Sequence, residues 1–303
     1  MRVLYAAHFD PAGVMAGHRA ALRAAGVEAY LAMNVDYRVE GADKAVPPPD
    51  VVVVCPGIGT GASHGDPALR TDVLVPLPSE VEQILALFPR AKRVAYFHGS
   101  VNTWALRDSY AIQYRARGFA LAASTLDYAV AMDAAYLPPA LPVVGPRADL
   151  RPAWRPLHVA HTPTNPRICH SREFLDLAID LGVPVRFVTA VSQAEALNVK
   201  RVSHAVFDHL RGAFSVNSLE AAALGTIPLF GLTSVARARL TDEGFTSPPG
   251  ALNGVEDLRR ILGSLRDDVP RTVALQQESF MWAQQFNPAA TAQRLVAFYE
   301  SLP

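Results

Sequence analysis

A chain of 303 residues, half of them hydrophobic and 18% charged, has the apolar content for one large or two modest cores, which excludes intrinsic disorder. Its 28 basic residues, mostly Arg, and 28 acidic residues cancel, so the net charge of zero calls for no nucleic-acid or membrane partner. Two cysteines, Cys55 and Cys169, are too few for a disulfide framework or a zinc site, and no run reaches the roughly 18 apolar residues of a membrane span. The opening MRVLYAAHF lacks the length and cleavage pattern of a signal peptide, so a cytoplasmic protein is expected.

RVLYAA (2–7) reads as a buried first strand, followed by a helical pattern ending at Gly26 and a second strand, VEAYLAM (27–33). VVVVC (51–55) is β-branched and apolar on both faces, as a central parallel strand should be, and a glycine-rich loop follows it. SEVEQILALF (79–88) predicts a helix with Ser79 as cap and Glu82 completing a capping box. RVAYFHG (93–99) is a strand, 102–115 a helix, and FALAAS (119–124) a strand. The proline-rich stretch 137–156 reads as a crossover between domains.

The second half repeats the alternation. Strands are expected at 157–163, 183–191, 204–209 and 226–231, and helices at 171–182, 192–199 (capped by Ser192), within 215–225, and at 254–265. The tail from Arg271 to Leu302 is helical with a break at Asn287-Pro288. No short period marks a repeat architecture. The expected organisation is a domain over 1–150, a second over 151–285, and a final helix over 286–303 that packs back on the first.

Within FDHLRGAFSVNSLEAAALGTIPLFG (207–231), a strand, a glycine turn, a short helix and a strand follow one another. A helix N-terminus just beyond a strand end is where a doubly wound sheet holds an anionic ligand. Glu220 is placed to accept from ribose hydroxyls, and Ser218 with the local N–H groups to face a diphosphate. The same spacing also fits a plain capping box, with Asn217 as N-cap, Glu220 at N3 and Gly225 as C-cap.

This segment resembles the donor motif of GT-B-fold, retaining "group 1" glycosyltransferases, through Phe214, Leu219, Glu220, Ala221, Ala223, Gly225 and, slightly displaced, Pro228. The resemblance implies two doubly wound, Rossmann-like α/β domains facing a cleft. It also implies a nucleotide-sugar donor whose ribose meets Glu220, contacts from Ser215, Asn217, Ser218 and Leu219, and no metal or other cofactor. The motif's first glutamate falls at Gly212 and its second glycine at Ser215. HVAHTPTNPRICHSREFLDLA (158–178) is similar to the opening of the family's second domain, His-x-Pro-Thr-Asn followed by Arg and Lys-Gly. On that match Thr164 lines the donor site and Arg167 clamps the diphosphate. Cys169 stands for the lysine, His170 for the glycine, and Arg172 supplies the lost charge. Without the resemblance, Arg167 and Arg172 read as surface arginines.

In the first half, the Gly13 and Gly17 loop allows close backbone approach to a ligand. His98, at a strand C-terminal edge, matches a family histidine beside the reacting sugar, and as plain sequence is equally a structural residue. Trp104, Arg107, Tyr110, Tyr114 and Arg115 form either an acceptor surface or a helix packing face. No GxSxG elbow or P-loop lysine motif appears, and His161, Cys169 and His170 match no metal spacing. The expected activity is sugar transfer to a hydroxyl of a small molecule, a glycan or, against the neutral charge, a nucleic acid. The alternative is a non-catalytic protein that kept the fold. Oligomeric state is not legible.

Overall fold

Val51–Cys55, four valines and a cysteine, is buried along its whole length, and only a strand in the middle of a sheet covered on both faces uses such a run. The computed structural model describes residues 1–7, 13–33, 47–55, 79–98, 111–141, 156–163, 166, 169–210 and 212–303. The chain divides into two compact units, Met1–Ala140 with Pro288–Pro303, and Leu141–Asn287. The first changeover, between Ala140 and Leu141, lies within the proline-rich stretch 137–156.

The first unit carries β1 (Arg2–Ala7), α1 (Val14–Ala24), β2 (Glu28–Met33), β3 (Val51–Cys55), α2 (Ser79–Leu87) and β4 (Lys92–Phe97). A helix α3 over 111–116 follows, then β5 (Ala120–Ala123), α4 (Leu126–Met132) and β6 (Ala135–Tyr136). Its six strands lie in the order β2-β1-β3-β4-β5-β6, all parallel. The second unit carries β7 (Val159–His161), α5 (Ser171–Asp180), β8 (Val185–Phe187), α6 (Gln193–Arg201), β9 (Ala205–Phe207) and α7 (Val216–Ala223). It continues with β10 (Ile227–Gly231), α8 (Ser234–Asp242), β11 (Ala251–Leu252), α9 (Val255–Asp267), α10 (Val269–Ala283) and a 3₁₀ turn (Gln284–Phe286). Five parallel strands run β11-β10-β9-β7-β8. The last helix, α11 (Pro288–Ser301), belongs to the first unit.

Both sheets are doubly wound. The strand order reverses beside β1 in the first, where β2 and β3 flank it, and beside β7 in the second, where β8 and β9 flank it. Ligands of open α/β sheets sit at the C-terminal ends of strands at such reversals. In the second unit that point is the junction of β7 and β9.

The core of the second unit stacks Phe174 on Phe207, 4.2 Å apart at 11°, among Val159, Leu177, Ile227, Leu229, Leu258 and Leu262. On the other side Phe214, Phe230, Trp282 and Phe286 form an aromatic group with centroids 5.0–6.4 Å apart. In the first unit, α11 is fastened to β1 by a hydrogen bond of 2.8 Å between the buried hydroxyls of Tyr299 and Tyr5.

Two helices and two strands escape the sequence reading: α4, α8, β6 and β11. The strands are two-residue sheet edges, and α8 (SVARARLTD) buries only Ala236 and Leu240, too little for a clear apolar stripe. Ser192 caps α6 as expected, in a full capping box with Glu195. The side chain of Ser79 lies outside the described residues.

Gly17 is a packing residue within α1. A Cβ there would meet the carbonyl oxygen of Ala140 at 3.0 Å. Gly17→Ala is expected to cost about 1–2 kcal/mol despite the better helix propensity of alanine, since the backbone it meets cannot rotate away. A urea midpoint equal to or above that of the unchanged chain would remove this role.

Candidate functional site

The polar residues of the second unit gather at the reversal point. Asp208, one residue past β9, is 5% exposed. Its Oδ2 accepts from Ser215 Oγ (2.6 Å), Ser218 Oγ (2.6 Å) and the Ser215 N–H (3.3 Å), and its Oδ1 from Asn217 Nδ2 (3.2 Å). Asn217 Oδ1 in turn accepts from Thr162 Oγ1, just past β7, at 2.9 Å. Burial pushes the Asp208 carboxyl up. The neighbouring His209 and the bonds from Ser215, Ser218 and Asn217 outweigh it and hold the group below the ordinary carboxylate range.

His161 closes β7 and is fully buried, its Nδ1 2.9 Å from the Phe207 carbonyl and its Nε2 2.7 Å from Ser171 Oγ at the start of α5. Burial lowers its pKa against the opposing pull of the Phe207 carbonyl and Asp208. His170 precedes α5 in the left-handed region, at φ 53°. That is the conformation a glycine takes without penalty and a histidine adopts only at a cost. Gly212 has φ 87°. A glutamate at 212, the motif's usual residue, would be strained in this loop.

The capping assignment needs correction. The N-cap of α7 is Ser215, whose Oγ accepts from the Asn217 N–H at 3.0 Å, and not Asn217. Glu220 does not reach back to the helix start. It lies 9% exposed against α6, where its Oε1 accepts from Gln193 Nε2 at 2.8 Å and its Oε2 pairs with the ammonium of Lys200. Gly225 stands one residue past the cap at φ 73°, with Gly225 N–H bonded to the Ala222 carbonyl and Thr226 N–H to that of Ala221, a Schellman closure. Leu219 is 1% exposed, so its side chain belongs to the core.

The structure therefore brings Ser215, Asn217 and Ser218 together around Asp208, and Glu220 onto Lys200 and Gln193. Arg172 stands apart in solvent, 92% exposed in its side chain and paired with Asp176 on the same helix at 3.8 Å. Thr164 and Arg167 lie outside the described residues. Neither Asp208 nor Lys200 is among the site residues expected from the sequence. The available signal for Lys200 was its rarity, since Lys44, Lys92 and Lys200 are the chain's three lysines.

In the first unit, His98 follows β4 and is 7% exposed. Its Nδ1 is 3.5 Å from Ser124 Oγ, and its buried Nε2 has no hydrogen-bond partner among the described residues. Fully buried His18 on α1 binds the Pro138 carbonyl through Nε2 at 2.8 Å and packs edge-on to Tyr96, centroids 5.3 Å apart. Gly13 is the exposed N-cap of α1 at φ 66°. Of the expected acceptor surface, Trp104, Arg107 and Tyr110 lie outside the described residues. Tyr114 is core, packed on Phe97 and Phe119, and Arg115 binds the Met132 and Asp133 carbonyls at the end of α4.

Burial lowers the pKa of both His18 and His98 to about 4. Each is neutral in the folded chain at pH 7, while the unfolded chain takes up protons near pH 6.5. Unfolding therefore binds protons between these values. The stabilising effect of neutral burial is whole above pH 6.5 and is lost as pH falls to about 4, by roughly 3 kcal/mol for each histidine. Urea midpoints at pH 7 and 4.5 should differ accordingly, and His18→Gln should shrink the difference. An unchanged difference in the variant would exclude His18 as a source.

Among the described residues no helix is long and apolar enough to cross a membrane, and no three His, Cys, Asp or Glu side chains are grouped to hold a metal ion. Cys55 is buried and Cys169 half-buried.

No protein-family model matches the chain, and no curated protein sequence does. Solved structures do match. Anabaena Alr3699/HepE in complex with UDP-glucose is 12% identical with a TM-score of 0.64, covering 100% of both chains. An alpha-glucosyltransferase in complex with UDP-glucose and DNA containing an abasic site is 11% identical with a TM-score of 0.63, covering 99% of both. The N-terminal domain of Candida albicans trehalose-6-phosphate phosphatase is 8% identical with a TM-score of 0.63, covering 99% of this chain and 96% of that one. Identities this low carry the fold and nothing finer. With its two parallel-sheet α/β units, the chain has the GT-B fold of glycosyltransferases.

Proposed function

We propose that the chain transfers a sugar from a nucleotide-sugar donor to a hydroxyl acceptor, with retention of configuration as the motif resemblance implies. The observation that carries this reading is Glu220. It is an acid in the helix that follows β9 at the sheet-order reversal, at the position where the donor motif has its ribose ligand. Arg167 and Arg172 would stabilise the departing diphosphate, aided by N–H groups at the start of α7. His98, neutral at pH 7, would orient a sugar or acceptor hydroxyl through its Nε2, which has no partner among the described residues.

A second reading, a non-catalytic binding protein, draws on Asp208. Its carboxylate already takes the Ser215, Asn217 and Ser218 donors that a diphosphate would use. Gly212 in place of the motif's first acid favours the same reading.

A mass-spectrometric screen of nucleotide sugars against the folded full chain tests the first reading. One donor is expected to be retained and consumed in the presence of an acceptor set. Retention without turnover favours the second reading, and no retention of any donor overturns both as nucleotide-site assignments. Glu220→Gln is expected to weaken donor binding by about tenfold, measured by calorimetry. Equal affinity would remove Glu220 from the site.

A further inference from the structure

We propose, on the reading that Glu220 meets the ribose of a donor, that Lys200 and Gln193 are positioning residues that hold its carboxylate for a vicinal diol and so make the site selective for ribonucleotides over 2′-deoxyribonucleotides. Gln193 and Lys200 are seven residues apart on α6, two turns along one face. Each takes one oxygen of Glu220: Gln193 Nε2 on Oε1 at 2.8 Å, and the Lys200 ammonium on Oε2. Lys200 is 2% exposed and sits beneath the carboxylate, whereas Gln193 is exposed at its outer edge.

The choice of cation carries the argument. Of 28 basic residues three are Lys and 25 are Arg, yet the buried partner of Glu220 is a lysine. An arginine fork would engage both carboxylate oxygens in its own plane. An ammonium is a point charge that here takes one oxygen and leaves lone pairs on both. An ionised carboxylate has about four acceptor positions, and two are used. The remaining two match the paired O–H donors of a ribose 2′,3′-diol. A pair that merely ties α6 to α7 would have no reason to spare those lone pairs, since a fork would tie them as well.

Calorimetry on the full chain with UDP, GDP and ADP, each against its 2′-deoxy form, tests this. The unchanged chain should bind the ribose form of its nucleotide at least about tenfold more tightly. Lys200→Arg, which engages both oxygens, and Gln193→Ala, which lets the carboxylate turn, should each bring the ratio within about threefold while the deoxy form keeps its affinity within about twofold. A purely structural role would leave the ratio unmoved in folded variants, and that result overturns the proposal. Equal binding of the two forms by the unchanged chain overturns it while nucleotide binding stands. Binding of none of the six probes by the folded chain removes the Glu220 reading beneath it as well. Should Lys200→Arg fail to fold, Gln193→Ala, at an exposed position, decides the matter alone.

Discussion

Lys200→Met is expected to lower the unfolding free energy by about 3–5 kcal/mol, because it leaves the Glu220 carboxylate buried without its cation. Both partners are withdrawn from water, with side chains 2% and 10% exposed. The ion pair itself need not be strongly favourable, since desolvating two charges consumes most of their attraction. Removing one partner is different, for the desolvation of the other then goes unanswered. The double variant Lys200→Met with Glu220→Leu should therefore recover most of the loss, to within about 1–2 kcal/mol of the unchanged chain. Urea unfolding followed by circular dichroism measures both. A single variant costing under about 1 kcal/mol, or a double variant as unstable as the single, would mean that the pair is more solvated than its geometry indicates.

Asp208→Ala should cost about 3–4 kcal/mol. Four donor contacts converge on this carboxylate, and two of them come from serine hydroxyls at 2.6 Å. Ser218 is fully buried, so its hydroxyl cannot turn to water instead. Each buried donor left without a partner costs about 1–3 kcal/mol, and neighbours in one network do not add fully. Asp208→Asn keeps one acceptor oxygen and should lose about half as much. The depressed pKa of Asp208 adds a pH signature. Its stabilising effect is complete above the ordinary carboxylate range and is lost as pH falls through the lowered folded value. Asp208→Ala should therefore flatten the acid end of the stability profile. If the profile keeps its shape, Asp208 is not the group titrating there.

The sequence-level expectations and the structure part company in an orderly way. The strands VVVVC, RVLYAA and TIPLFG were legible because burial on both faces of a parallel sheet demands continuous apolar runs. The break before α11 was legible because proline at 288 cannot donate into a continuing helix. Edge strands of two residues leave no pattern to read. At the site, the residue types were visible but their partners were not. Asn217 and Glu220 have capping-box spacing, yet Ser215 takes the cap and Glu220 turns away to α6. Local spacing admits both arrangements. A charged residue of α6, twenty positions upstream, selects between them, and no window along the chain contains that choice.

By itself, then, the sequence determined the class of fold, the alternation of strand and helix, and the segment around Glu220 where function is sought. Those follow from local periodicity and turn chemistry, which each stretch carries within itself. The tertiary structure decided which polar groups satisfy one another: Asp208 with Ser215, Asn217 and Ser218, and Glu220 with Lys200 and Gln193. A buried polar atom must find a partner wherever the fold brings one, and distance along the chain has no bearing on that requirement.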